Sequence, residues 1–347
     1  MQTQRALLVT SLHNPLTLTH NRPIPIPGPS QLLLRIHLAS LNPHDQKARD
    51  HGLFIASSLP AILSNDIVGT VVSVHPSVTH FSPGDRILSY GGLTSDHSQT
   101  GLQEYALAEV GSCCKIPGDI TDEEAATLPT NVIAAVEGLF GVLRIPAPWM
   151  AEGEGFDYAA VMVLIIGGGS NCGKFAVQMA KLAGFGRVVV LGGEEGELKG
   201  FGATEVIDRH GGYEEVLGRI REVVGDELVY VFDAVNPPEG QILGVDALSN
   251  ERMGVMARLL PSGKIDETRI KAGKKMGFEV RDVLGLSGMF KGLTAPFWDL
   301  LPGYLETGKI KPLGYTVVEG LDPDTVNGIL DRYRDGQKVI KTHVRIV

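Results

Sequence analysis

The sequence predicts an α/β protein that joins a β-strand module to a doubly wound parallel sheet. From residue 5 to about residue 110, short β-type runs alternate with turn residues. From residue 160 onward, continuous apolar runs alternate with helical patterns, and one run ends in a glycine cluster that opens a helix. A chain of 347 residues suits two domains with a substantial core.

In the first module the runs over residues 5–10, 31–38, 66–75 and 86–90 are leucine-rich or β-branched and bounded by Pro, Gly, Asn or Asp. Between the first two, RPIPIPGPS cannot donate many backbone hydrogen bonds, which predicts an extended connector or edge. A ligand for proline-binding domains is the other reading of such a segment. Near Thr121 the texture changes: TDEE is a capping-type start, followed by NVIAAVEGLFGVL with apolar residues at helical spacing. IPAPWMAEGEGFDYAA is then expected to be a surface insertion. VMVLII, RVVVL, EVID, LVYVFDA and GVMARLL read as buried parallel strands with helices between them, so helices should cover both sheet faces. FWDLLPGYLETGKI reads as a helix, with Phe297 and Trp298 in the core, and KVIKTHVRIV as a strand that returns to the first module.

Lys and Arg total 31 against 40 Asp and Glu, a net charge of −9, which makes nucleic acid and anionic membranes poor partners. Cys113, Cys114 and Cys172 can build neither a disulfide framework nor a zinc ribbon, and they suit a reducing compartment. The first residues lack a signal-peptide pattern, and no apolar run approaches the roughly 20 residues of a membrane span. A cytoplasmic protein with no membrane partner is the expectation. Glycine, at 43 residues, implies many tight turns and close backbone approaches.

The most informative local feature is VMVLIIGGGSNCGKFAVQMAKLAG. A buried strand ends at Ile166, a turn follows, and a helix is expected from about Lys174 to Leu182. Gly168, Gly169, Ser170, Asn171, Cys172 and Gly173 would bring backbone close to a pyrophosphate at a helix N-terminus, the arrangement of a dinucleotide site. The next strand, RVVVL, ends in Leu191-Gly192-Gly193 without the carboxylate that would hold a ribose hydroxyl of NAD, although Glu194 and Glu195 follow. Small residues such as Gly193 leave room for the 2′-phosphate of NADP, and Lys199, Arg209 and His210 are near enough in sequence to contact it. NADP is therefore the expected cofactor. Asn236, after FDAV, is placed for its ribose or nicotinamide.

Eight segments in order then resemble one family: LNPHDQKARDHG, NDIVGTVVSV, FSPGDRI, GLQEYALAE, KIPGDITDEEAATLP, the glycine turn, FGATEVID and FDAVN. The chain resembles a zinc-independent member of the medium-chain dehydrogenase/reductase superfamily, nearest to the fungal trans-acting enoyl reductases that serve polyketide synthases and to similar toxin-cluster reductases. The resemblance implies a chaperonin-10-like β domain of residues 1–130 and 296–347, a Rossmann domain of residues 131–295, and NADP and substrate in the cleft between them. A monomer or a homodimer is compatible with it.

Where zinc alcohol dehydrogenases carry a catalytic Cys and the His of a Gly-His-Glu motif, this chain has Pro43 and Asn65, and the four-cysteine structural zinc lobe is absent. No metal is expected. Ser170 replaces a usual glycine, and a threonine often near the nicotinamide is Ala134 here. The implied reaction is hydride transfer to the β carbon of an activated alkene and protonation of the α carbon, with the protein stabilising enolate charge. Lys47 falls where the trans-acting enoyl reductases carry a lysine, which makes it the first candidate for oxyanion support or proton donation; a surface-helix lysine is its plain reading. Asn42 is the second candidate, for a hydrogen bond to nicotinamide or substrate, although Asn before Pro is also an ordinary turn residue. Asp66 resembles an acidic position beside the cleft, or simply orients loops, and His44 and His97 read as surface or satisfied groups. The substrate would be a small molecule or a carrier-tethered acyl group, its pocket shaped by residues 50–60 and 285–296. Alternatives are a quinone reductase and a non-catalytic dinucleotide-binding scaffold or sensor.

Overall fold

The computed structural model describes residues 2–260, 263–271, 273–286 and 288–346; Ser287, within the segment expected to shape the pocket, lies outside them. The chain begins with an antiparallel pair, β1 (Thr3–Leu8) and β2 (Thr17–Pro23). Residues 24–28 are irregular and Ile26 is 82% exposed, so the proline-rich segment is a connector. It leads into β3 (Gln31–Leu41), α1 (Pro43–His51), β4 (Asp66–Val74), β5 (Arg86–Tyr90), β6 (Tyr105–Glu109) and β7 (Cys113–Lys115).

The helical region opens with α2 (Asp122–Ala125), α3 (Pro129–Val136) and a wide π turn over Glu137–Val142. Thr121 Oγ1 accepts from the Glu124 amide at 3.1 Å and Glu124 Oε2 accepts from the Thr121 amide at 2.9 Å, the expected capping box. As one helical run, Asp122–Val142 has the length and apolarity of a membrane span, which corrects the expectation that no segment does. Its most apolar window is 89% buried inside the protein, so packing explains its composition.

Next come β8 (Met162–Ile166), α4 (Asn171–Ala183), β9 (Arg187–Leu191), α5 (Glu195–Phe201), β10 (Glu205–Ile207), α6 (Tyr213–Val224), β11 (Tyr230–Asp233), α7 (Ile242–Ala247), β12 (Gly254–Arg258) and β13 (Phe278–Asp282). They form a parallel sheet in the order β10-β9-β8-β11-β12-β13, the doubly wound Rossmann arrangement whose order reverses at β8. Strand alternation distributes the apolar residues between two cores. Val163, Ile165, Val188 and Val190 join the cluster built on α3 and α4, and Leu164, Ile166, Val189 and Leu191 join that of α6 and α7.

The chain closes with α8 (Lys291–Glu306), β14 (Tyr315–Glu319), α9 (Pro323–Arg334) and β15 (Lys341–Arg345). β14 and β15 join the first module, where the sheet order is β14-β15-β3-β4-β5-β7 with β6 beside β3. Phe297 and Trp298 are fully buried on α8.

The stretch 145–160 lies at the surface as expected, with Ala151, Glu152, Glu154 and Asp157 exposed, but several of its side chains anchor it to the core. Ile145 and Ala147 are buried, and the Trp149 ring packs edge-on against Phe140 and beside Phe297. Trp149 Nε1 donates to the Leu293 carbonyl at 3.0 Å, and Tyr158 stacks on Phe185. Aromatic contacts pin a turn-rich surface segment to the core here.

Candidate functional site

β8 ends at Ile166, and α4 begins at Asn171, one turn earlier than the sequence suggests, because Ser170 caps it. Ser170 Oγ accepts from the Gly173 amide at 3.0 Å and donates to the Gly167 carbonyl at 2.8 Å. This is the physical use of the residue that departs from the usual glycine. With that cap made, the first-turn amides of Asn171 and Cys172 have no helical partner and present the positive end of α4. A Cβ on Gly168 would stand 2.2 Å from Val190 Cγ1 and 2.6 Å from the Gly192 carbonyl oxygen. Gly193, at φ +105°, brings the turn after β9 against Gly169, whose Cβ would stand 3.3 Å from Gly193 Cα. The bare backbone of two adjacent strand exits therefore forms a narrow cradle at a helix N-terminus, which fits a dinucleotide pyrophosphate.

At the exit of β9, Glu194 caps α5: its Oε1 accepts from Gly196 at 2.9 Å and its Oε2 from the Glu197 amide. The carboxylate nearest the ribose position is thereby engaged by its own helix. The Arg209 side chain runs along Gly192, its Cδ 2.8 Å from where a Cβ would be. Its guanidinium is exposed and makes no ion pair among the described residues. Lys199 is not brought to this point as a free cation, because it pairs with Glu195 at 2.7 Å one helical turn away. His210 pairs with Asp208 at 2.7 Å. Asn236 lies in the turn after β11, where its amide N and Nδ2 donate to the Asp233 carboxylate at 2.9 and 3.0 Å.

Between the sheets lies a buried polar network. Asp66, with no exposed surface, accepts from Asn42 Nδ2 at 2.8 Å, from the Thr130 amide at 2.6 Å and from Lys341 Nζ. Lys341, 2% exposed, also donates to Asn42 Oδ1 at 2.7 Å. Asn131 Nδ2 donates to Asn42 Oδ1 at 3.3 Å, and Cys172 Sγ to Asn131 Oδ1 at 3.3 Å, which ties the first turn of α4 to the β module. Burial pushes the Asp66 carboxyl up, but the Lys341 charge and three hydrogen bonds outweigh it and hold it below the usual carboxylate range. Asn42, expected to meet nicotinamide or substrate, has both ends of its amide engaged here. An ammonium, two asparagines and one carboxylate are poor zinc ligands as a set.

Lys47, on α1, is half-buried, burial lowers its pKa, and it makes no hydrogen bond or ion pair among the described residues. A free, partly desolvated ammonium can stabilise a developing oxyanion. The sequence reading missed Glu137, a lone carboxylate in an apolar helical run. It is fully buried: burial pushes its pKa up to about 8 against hydrogen bonds from the Leu286 and Gly285 amides. Tyr90 donates to the Gly285 carbonyl at 2.8 Å, so two side chains hold the segment leaving β13.

The alcohol dehydrogenase GroES-like domain family matches residues 28–135. The trans-enoyl reductase tndF of Aspergillus flavipes is 30% identical over 335 residues, 91% of each protein. The CurK enoyl reductase structure superposes with a TM-score of 0.75 over 100% of both chains at 18% identity. Mycobacterial Rv1454c complexed with NADPH does so with a TM-score of 0.74 over 99% of both at 22% identity. The chain belongs to the medium-chain dehydrogenase/reductase superfamily and resembles the fungal enoyl reductases within it. It is an oxidoreductase.

Proposed function

We propose that this protein is an NADPH-dependent, zinc-independent reductase of activated C=C bonds, acting on a small-molecule or carrier-tethered enoyl or enone substrate. The observation that carries the cofactor reading is the exit of β9, where Glu194 is engaged as a helix cap and Arg209 lies along Gly192 without an ion-pair partner among the described residues. That electrostatic environment suits a 2′-phosphate better than a bare ribose hydroxyl. One structural neighbour was solved with NADPH, and curated relatives carry the name trans-enoyl reductase, which supports the same reading.

A bound reduced nicotinamide would supply the hydride that such a reduction needs. The protein's own residues do the rest. The glycine cradle and the α4 amides would hold the pyrophosphate, and Arg209 would hold the 2′-phosphate. The Asn42–Asp66–Lys341 network braces α1 against α4, and Lys47 stabilises the enolate oxygen. Titration of the protein with NADPH and NADH, followed by NADPH oxidation against enoyl thioesters, enones and quinones, tests the proposal. NADPH-selective binding with turnover of alkenes is expected. Equal affinity for both nucleotides, or turnover of quinones alone, would overturn it.

A further inference from the structure

Protonation of the α carbon needs an acid, and Lys47 alone is assigned to the oxygen. His44 stands one helical turn before it on α1, in the i, i+3 relation that puts two side chains on one face. Its ring is about a quarter exposed, at 26%, and lines a recess whose other walls include Leu53, Phe54, Ile62 and Leu93. Its Nε2 lies 3.1 Å from Asn65 Oδ1. Asn65 Nδ2 donates to the Gly91 carbonyl at 2.6 Å, and a carbonyl can only accept. Asn65 Oδ1 is therefore the atom facing the histidine, and His44 Nε2 carries the hydrogen between them. The proton that comes and goes must be the one on Nδ1, which makes no hydrogen bond among the described residues. The Asp45 carboxylate lies 3.7 Å from Nε2 and accepts from the Ser64 amide.

We propose that His44 is the catalytic acid that protonates the α carbon through Nδ1, with Asn65 fixing the ring. This rests on the reductase reading above. Hydride joins the β carbon, and the π pair of the alkene moves towards the carbonyl to give an enolate whose oxygen faces Lys47. The α carbon then forms its C–H bond as the His44 Nδ1–H bond breaks. The ring is left neutral, still anchored through Nε2, and water restores its proton.

The test is reduction of an enoyl thioester in D2O, scoring kcat, NADPH affinity and the face on which deuterium enters at the α carbon. His44→Gln keeps a donor for Asn65 but has no proton to give, and His44→Phe fills the ring volume without either. Both should bind NADPH within about twofold of the wild type and lose roughly 100-fold or more in kcat. The wild type should deuterate one face, and the variants both faces, as solvent replaces a positioned acid. If His44→Phe does not fold, His44→Gln decides. Single-face labelling by the variants, or kcat within about threefold of wild type, would overturn the assignment while leaving the reductase standing. A wild-type protein that binds NADPH and reduces no alkene would overturn the reductase reading and this assignment with it.

Discussion

Removing Lys341 should damage the protein more than removing Lys341 and the Asp66 charge together. The carboxylate of Asp66 has no exposed surface and is kept ionised by one ammonium and the hydrogen bonds from Asn42 and Thr130. Lys341→Met leaves that charge desolvated with neutral donors only, which costs about 3–5 kcal/mol for a buried pair broken on one side. At roughly 2–4 °C per kcal/mol for a domain of about 150–250 residues, the melting temperature should fall by on the order of 10 °C. Asp66→Asn combined with Lys341→Met removes both charges and should recover about half of that loss. The assay is a denaturant double-mutant cycle at pH 7, read by midpoint and slope. Single losses below about 1 kcal/mol that simply add would refute the reasoning, because they would show the pair to be solvated. The pH dependence has a definite sign. The folded pKa of Asp66 is depressed, so the pair's contribution is present above the ordinary carboxylate range and disappears as pH falls through the folded value.

Glu137 behaves the opposite way. With its folded pKa raised to about 8, it favours folding at low pH, and that contribution fades as pH rises from the ordinary carboxylate range through 8. Glu137→Gln should gain on the wild type by ~1.4 kcal/mol per pH unit across that window, measured by denaturant unfolding; parallel pH profiles would contradict it. Gly168→Ala forces a Cβ to 2.2 Å from Val190 Cγ1, so it should cost about 1–3 kcal/mol in stability and weaken NADPH binding at least tenfold by titration. Arg209→Ala should raise the NADPH dissociation constant about tenfold or more and leave that of NADH unchanged. Tyr90→Phe, which leaves the Gly285 carbonyl without its donor at 2.8 Å, should cost about 1–3 kcal/mol in thermal unfolding.

The parallel sheet was legible because its central strands are uninterrupted apolar runs that two layers of helix must cover. β13 was not, because FEVRD sits at the sheet edge with charged residues among its apolar ones and reads as loop. β2, with only half-buried and exposed positions over THNRP, was hidden for the same reason. The helix start at Ser170 needed only local capping chemistry and could have been found. The network of Asn42, Asp66, Asn131 and Lys341 could not: it joins the third strand's end to the last strand, 299 positions apart, and no spacing rule links them. Lys199 and Asn42 looked available in sequence because partners such as Glu195 and Lys341 are seen only once the chain is folded.

The central claim is that hydride passes from a bound reduced nicotinamide to the β carbon of an activated alkene. The most direct measurement is single turnover with NADPH stereospecifically deuterated at C4 and an α,β-unsaturated thioester, with the product analysed by mass spectrometry and NMR. The account predicts one deuterium, at the β carbon, transferred from one face of the nicotinamide only. NADPH bound in the glycine cradle with no deuterium in any product would contradict it and leave a dinucleotide-binding protein without this chemistry.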